Sequence, residues 1–402
     1  MTPFPRYWKP VAVAVALMGA AGVHATNGYF SHGYGIKAKG MGGASVALAQ
    51  DGFAGANNPA AAAFAGNRYD VGIDLFMPDR SANNGGGPMV NSGRDRFLIP
   101  EFGYNLALSD RIGLGLTVYG NGGMNTTYNA AGTNLLGGAG KLGVDLTQLI
   151  VAPTLAYKVT PDHAIGVSPL LVYQRFEAYG LQGFGITPNP GDDSSTGVGV
   201  RLGYQGRLSD AISVGASYAP KINMSRFKKY ANLFAGAGDF DIPENYTLGM
   251  AIKVSPTVTV AADYQRIAYN KVPSVANASL ANFANGLGNP NGPGFGWTAV
   301  SVVKLGVQWQ VNDQWQLRAG YNKGDNPVRS ADAMFNILAP GVVENHFTLG
   351  GTYTLDKNQE LSFAYMHAQS NTVTGPNSGG GNGTATVSMK QNSLGVQYSR
   401  KF

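Results

Sequence analysis

The 402-residue sequence contains no cysteine, so neither a disulfide framework nor a thiolate metal site holds it together, an absence compatible with an exported chain. Charge is scarce too, with Asp, Glu, Lys and Arg making up 13% of residues. Past residue 25 no run reaches the roughly 18 apolar residues that a spanning helix requires, because Asp, Asn, Gln or Gly interrupts every candidate. A helical membrane protein is thereby excluded. The formal net charge is +6, and setting aside Arg6 and Lys9 leaves 27 basic against 23 acidic residues, a net +4. That excess is too small and too scattered for a nucleic-acid partner. Its tight group, Arg226, Lys228 and Lys229, reads as a solvated loop or a contact with anionic lipopolysaccharide.

What is present begins with a leader. Arg6 and Lys9 precede an apolar run over residues 11–23, and Val23-His24-Ala25 ends it with small residues, the pattern of a secretory signal peptide over residues 1–25. The mature chain is expected to start at Thr26. The composition then shows 57 Gly, 20 Tyr and 18 Phe, odd for a soluble protein but suited to a barrel with small residues inside and aromatic rims.

From Arg68 onward the signal has period two. Tyr69, Val71, Ile73, Leu75 and Met77 alternate with Asp70, Gly72, Asp74 and Phe76, as a wall between lipid and a polar lumen demands. One hairpin then recurs, with short polar turns at 109–110, 160–163, 209–210, 255–257, 312–314 and 356–358. Six such hairpins, an opening strand and a closing one predict an all-β transmembrane antiparallel barrel of fourteen strands over residues 68–402. The alternate connections are long (78–95, 120–145, 178–195, 225–240, 272–296, 324–343 and 371–383), which is the short periplasmic, long extracellular asymmetry of outer-membrane barrels. The chain closes on Leu394, Val396, Tyr398 and Phe402 along one face, similar to the terminal signal read by the barrel-assembly machinery, with Arg400 placed to snorkel at the rim.

Residues 26–67 do not alternate. They are Gly-rich, then Ala-rich, and would expose Phe30, Met41 and Phe53 unless buried, so a plug inside the lumen is expected. Here Asn27-Gly28-Tyr29-Phe30, His32-Gly33-Tyr34-Gly35, Lys39-Gly40-Met41-Gly42-Gly43-Ala44 and Asn58-Pro59-Ala60 resemble the hatch of the FadL family of long-chain fatty acid and hydrocarbon transporters. Residues 120–128 resemble that family's third-strand region. The resemblance implies a fourteen-stranded outer-membrane barrel plugged by an N-terminal hatch, with no energy coupling; no cofactor is expected, and the chain is expected to act as a monomer. In such a barrel a hydrophobic molecule lands on the outer loops, passes to an internal site, displaces the hatch and leaves sideways where the third strand kinks. It places Asn58, Pro59 and Ala60 in a hatch motif needed for transport and the kink within residues 112–127. Gly120, Gly122 and Gly123 are either that kink or the start of a long loop.

Apolar residues in the long loops point to the cargo. Phe227, Tyr230, Ala231 and Phe234 form one group, Met334, Phe335, Ile337 and Leu338 a second, and Leu135, Leu136, Leu142 and Leu146 a third. A groove lined by them gains about 0.8 kcal/mol per methylene buried. Strand parity puts Glu101, Arg201, Lys253, Asp263, Lys304 and Arg318 on the lumen face, where Arg201, Lys304 and Arg318 are candidates for a carboxylate headgroup or braces for the plug. The histidines past the leader, His32, His163, His346 and His367, have no nucleophile and acid in recognisable spacing, which disfavours an enzyme. Forty apolar residues ahead of the first strand disfavour an open diffusion porin.

Overall fold

The structure, a computed structural model, describes residues 27–377 and 383–402. The expected leader, residues 1–25, lies outside the described residues. The wall consists of β1 (Arg68–Asn84), β3 (Phe97–Ala107), β4 (Ile112–Tyr128), β5 (Leu142–Lys158), β6 (His163–Tyr179), β7 (Asp193–Arg207) and β8 (Ile212–Ala219). It continues through β9 (Asn245–Lys253), β10 (Val258–Ile267), β11 (Val300–Gln310), β12 (Trp315–Gly324), β13 (Asn345–Thr354), β14 (Gln359–Pro376) and β15 (Thr384–Lys401). A two-residue strand, β2 (Val90–Asn91), adds to the outer end of β1. Every neighbouring pair is antiparallel, and β1 pairs β15 from Arg68↔Lys401 to Asn84↔Ala385, closing the sheet into a fourteen-stranded barrel. Closure satisfies the backbone that lipid could not.

The parity read from sequence holds in the wall. Val71, Ile73, Val198, Leu305 and Leu349 are exposed outward, while Asp70, Asp74 and Glu101 are buried inward. Aromatic residues ring both ends, including Tyr69 against Tyr398 and Trp315 against Tyr353 near the short turns. Phe402 is fixed there by its N–H to Asn67 O at 3.2 Å.

The strand ends differ from expectation at the long-loop side. β1 runs to Asn84 rather than stopping at residue 77, and β4 continues through Gly120, Gly122 and Gly123 to Tyr128, so these glycines are strand, not loop. Leu142 and Leu146 belong to β5 and are buried. The loop before β9 is longer than expected because β8 stops at Ala219. Lys253 ends β9 exposed beside its turn, since a strand terminus carries its side chain out to water whatever its parity.

Residues 27–67 lie inside the barrel with little regular structure of their own: one helical turn, Ile36–Lys39, and one 3-10 helix, Pro59–Ala63. A buried backbone must find partners, and the wall supplies them. Ile36 N–H donates to Gln397 Oε1 (3.0 Å), Gly42 to Thr348 Oγ1 (2.8 Å), Ser45 and Val46 to Asp263 Oδ2 (2.8 and 3.0 Å) and Gly52 to Asp70 Oδ2 (2.7 Å). Asn58 caps the 3-10 helix through Ala60 N–H and donates to Val46 O (2.7 Å) and Tyr204 O (2.8 Å), with Pro59 at the first helical position, where its missing N–H costs nothing. Gly166 and Gly203 make room for this turn. A Cβ on either would stand 2.4 Å from Pro59 C or 2.2 Å from Asn58 Oδ1.

Candidate functional site

β3 and β4 are hydrogen-bonded only from Phe102↔Val118 to Ala107↔Gly113. Beyond that point β3 continues on β1 as far as Phe97↔Phe76, and β4 continues on β5 as far as Tyr128↔Leu142. The wall therefore opens along β4 from Tyr119. The β4–β5 register shifts between Gly120 and Gly122, a bulge whose extra residue is Asn121. A bulge bends its strand and ends pairing locally.

The N-terminal segment fills this opening with backbone. Phe30 bridges Gly122, Ser31 N–H donates to Asn121 O at 3.4 Å, and Gly123 N–H donates to Tyr29 O at 3.3 Å. Gly122 has to be glycine here, because a Cβ would sit 1.8 Å from Tyr29 O. The other side of this short stretch is held by Tyr269, whose hydroxyl accepts from Tyr29 N–H and Phe30 N–H (both 3.1 Å) and donates to Asn27 O (2.6 Å). Higher up, Ser92 and Gly93 bond Thr127 and bound the opening.

Above the opening the long loops line a narrow apolar groove whose walls include Phe176, Phe184, Phe234, Phe295, Phe335 and Leu338. The loops are locked together: Trp297 Nε1 donates to Asn336 Oδ1 (2.6 Å), and Thr126 Oγ1 donates from β4 to Leu338 O (2.8 Å). Aromatic rings run from groove to opening, from Phe234 to Phe240 (4.9 Å) and from Phe240 to Tyr29 (6.2 Å). Phe234, Phe335 and Leu338 therefore line one groove. Phe227 does not line the groove; it packs behind Phe176 and Phe234.

The three candidate cations are separated. Arg201 donates to the carbonyls of Gly55 and Ala56, and with Lys304 it borders a polar cavity against the N-terminal segment. Lys304 faces Asp263 across the β10–β11 pair. Arg318, three residues into β12, bonds Gln308, Thr352 and Gln316 near the short-turn end. Parity gives a residue's face but not its height, and Arg318 lies well below the groove. Phe30, Met41, Phe53, Asn58 and Ala60 are all buried in the lumen. His32 stacks on His346 at 6.3 Å, His163 bonds the Tyr204 hydroxyl, and His367 bonds Asn392. The sequence pattern left out Tyr269, Trp297 and Arg80, and gave Asn121 only as part of residues 120–128. Of the three, Arg80 carried a signal, its parity with Asp70 and Asp74.

Two ionic clusters fasten the segment. Lys39 Nζ lies 2.9 Å from Asp74 Oδ2 and 2.7 Å from Glu101 Oε1, and Lys37 Nζ lies 2.5 Å from Glu360 Oε2. Asp51 is buried beside them; burial raises its carboxyl from 3.8 to about 6, with Asp70 adding to the rise and Arg68 and Lys37 opposing it. An acid whose pKa is higher in the docked state favours docking when protonated, so its contribution is full below its free pKa and lost as pH rises through about 6. Hydrogen exchange across residues 27–67 should accordingly be slower at about pH 5 than at about pH 7.5, after correction for intrinsic rates, and Asp51→Asn should remove that dependence. The same pH dependence in Asp51→Asn would assign it to another group.

Comparison with known proteins agrees with this architecture. The toluene transporter TodX of Pseudomonas putida superposes with a TM-score of 0.69 at 22% identity, covering 92% of this chain and 99% of that one. A FadL homologue of Pseudomonas aeruginosa gives 0.72 at 16% identity, covering 93% and 100%. An outer membrane protein of Neisseria meningitidis serogroup B, NMB0088, is 32% identical over 114 residues, 26% of this chain, and the match spans 24% of that relative's length. The profile of the family described as outer membrane protein transport protein (OMPP1/FadL/TodX) matches residues 13–402, and the chain belongs to that family.

Proposed function

We propose that this protein lets hydrophobic molecules, hydrocarbons or long-chain fatty acids, cross the outer membrane without energy input, and that they leave through the opening between β3 and β4. The observation that carries the reading is the unpaired stretch of β4 from Tyr119, occupied by backbone of Tyr29 to Ser31. Residues 26–67 act as a hatch, freed of the leader 1–25 after export. Cargo collects in the apolar groove, follows the aromatic rings down to Tyr29, and replaces the hatch stretch at the gap. Gly120, Gly122 and Gly123 form the kink, and Asn58, Pro59 and Ala60 hold the hatch on β6 and β7. Arg201 and Arg318 serve as braces in this scheme, because their hydrogen bonds go to hatch carbonyls and wall side chains. Transport of toluene is what the relative's own name reports for TodX, and a groove of Phe and Leu suits such a molecule here. The protein works as a monomer, its outer loops meet lipopolysaccharide, and its terminal Phe402 is read by the assembly machinery.

A carboxylate placed in the groove tests the capture step. Leu338→Asp should lower uptake of labelled toluene and oleate by about tenfold, because apolar cargo would have to leave a buried charge unsolvated. Uptake at the wild-type rate by a folded, heat-modifiable variant would remove the groove from the route.

A further inference from the structure

At the short-turn end, which faces the periplasm in outer-membrane barrels, the lumen widens into an open vestibule of about 450 Å³. Its roof is the lower face of the hatch, including Lys37 and Gln50, and its wall carries Arg68 of β1, Lys253 of β9, Arg318 of β12 and Lys401 of β15. Against these five cations the lining holds one carboxylate, Glu360. Glu360 is already shared, with Lys37 Nζ 2.5 Å away, Lys401 Nζ 2.8 Å and Arg68 Nη2 3.8 Å. Arg68 also holds Asp70. Arg318 is buried, and its hydrogen bonds go to Gln308, Thr352 and Gln316, which fix the guanidinium without neutralising it. Asp51 and Glu360 reach Arg318 only at longer range, and among the described residues neither Arg318 nor Lys253 forms a salt bridge. The cations are also spread apart. Seven pairings separate β9 from β1 in a ring of fourteen, so Lys253 and Arg68 stand on opposite sides of the mouth.

We propose that this periplasmic mouth docks an acidic peptide segment of a periplasmic protein. The inference stands apart from the route taken by cargo and concerns a different ligand on a different face. Charge complementarity carries it, since a concave surface with an excess of one sign attracts and orients a partner of the other. The spread of the cations decides what kind of anion fits. At about 4.8 Å per strand a ring of fourteen is roughly 20 Å across, too wide for one phosphate to bridge. Six residues of extended peptide, at about 3.3 Å each, cover that width and present carboxylates along it. Such a segment meets the planar fork of Arg318 and the point charge of Lys253 without displacing a carboxylate from either. Docked there, it lies against Lys37 and Gln50 and covers the hatch from below.

The test is fluorescence anisotropy of dye-labelled hexaglutamate and hexaglutamine, using the mature protein in phosphatidylcholine nanodiscs, whose lipid has no net charge, and empty nanodiscs as the blank. Wild type should bind hexaglutamate at least about tenfold more tightly than hexaglutamine, the range of one charge-assisted hydrogen bond. The preference should disappear at about 1 M salt, where screening acts beyond about 3 Å. Lys253→Gln combined with Arg318→Gln should weaken hexaglutamate binding by about tenfold or more and leave hexaglutamine unchanged. Arg226→Gln, Lys228→Gln and Lys229→Gln together, on the outer loop between β8 and β9, should keep the wild-type affinity. Equal binding of the two peptides by wild type overturns the proposal without needing any variant to fold. So does a preference that survives in the mouth variant and vanishes in the outer-loop variant. Complete displacement of hexaglutamate by inorganic phosphate at equal charge concentration also overturns it, because the mouth would then be a small-anion site.

Discussion

Oxidation of an Ile99→Cys/Gly120→Cys pair should cut uptake of labelled oleate or toluene by at least about tenfold, and reductant should restore it. A Cβ built on Gly120 lies 3.6 Å from Ile99 Cγ2, close to the spacing that a disulfide spans. The bond would cross from β3 to β4 just above Phe102↔Val118, the last pair that the backbone makes. It would therefore seal the base of the opening from its buried face, where Ile99 shares the inward parity of Glu101, and away from the groove. The natural chain has no cysteine, so this pair contributes its only thiols. Heat modifiability of the oxidised protein checks that the barrel is intact. Uptake that ignores the staple would mean that molecules pass down through the short-turn end, and the wall exit would have to be abandoned.

A second large effect is expected from Lys39→Met. The ammonium sits between Asp74 and Glu101 with all three side chains essentially inaccessible. Burial works against its charge, but the two carboxylates outweigh burial and raise its pKa. Removing the cation strands two anions in the lumen, and breaking a buried pair in this way costs about 3–5 kcal/mol. Because each 1.4 kcal/mol is a factor of ten, the opening constant of this segment should rise by about two to three and a half powers of ten. Hydrogen exchange over residues 27–67 reads this directly, and planar bilayers should show larger or more frequent conductance steps. The barrel strands should keep their protection. Adding Asp74→Asn and Glu101→Gln should recover much of the loss, since neutral groups can share hydrogen bonds without a counter-ion. Unchanged exchange in Lys39→Met would show that the clusters decorate the hatch and do not hold it.

The fourteen strands were legible because a wall between lipid and lumen leaves a period-two record in nearly every residue. The turns were legible for a similar reason, as Ser109, Asp210 and Asn312 belong to tight turns by their own backbone chemistry. The upper ends of β1 and β4 were not. Asn83-Asn84 and Gly120 to Asn125 look like loop, and they remain extended only because β15, β5 and the hatch backbone bond them. Long-range pairing of that kind leaves no local trace. Arg201, Lys304 and Arg318 were correctly placed on the inner face, yet one period describes them all while their partners are a hatch carbonyl, a cross-strand acid and a trio of side chains. Tyr269 and Trp297 lay in a stretch without any period, and only their ring contacts and single polar tips show what they hold.

Residues 27–67 take many of their hydrogen bonds from the wall, and this sets an order in time. Ile36 depends on Gln397, 361 positions further along, and Gly42 and Ser45 depend on Thr348 and Asp263. Synthesis runs from the N-terminus, so these residues are made long before the acceptors that lie 218 to 361 positions further along. They meet these partners only once β15 has been made and the sheet has closed on β1. An early stretch of the chain is among the last to find its place.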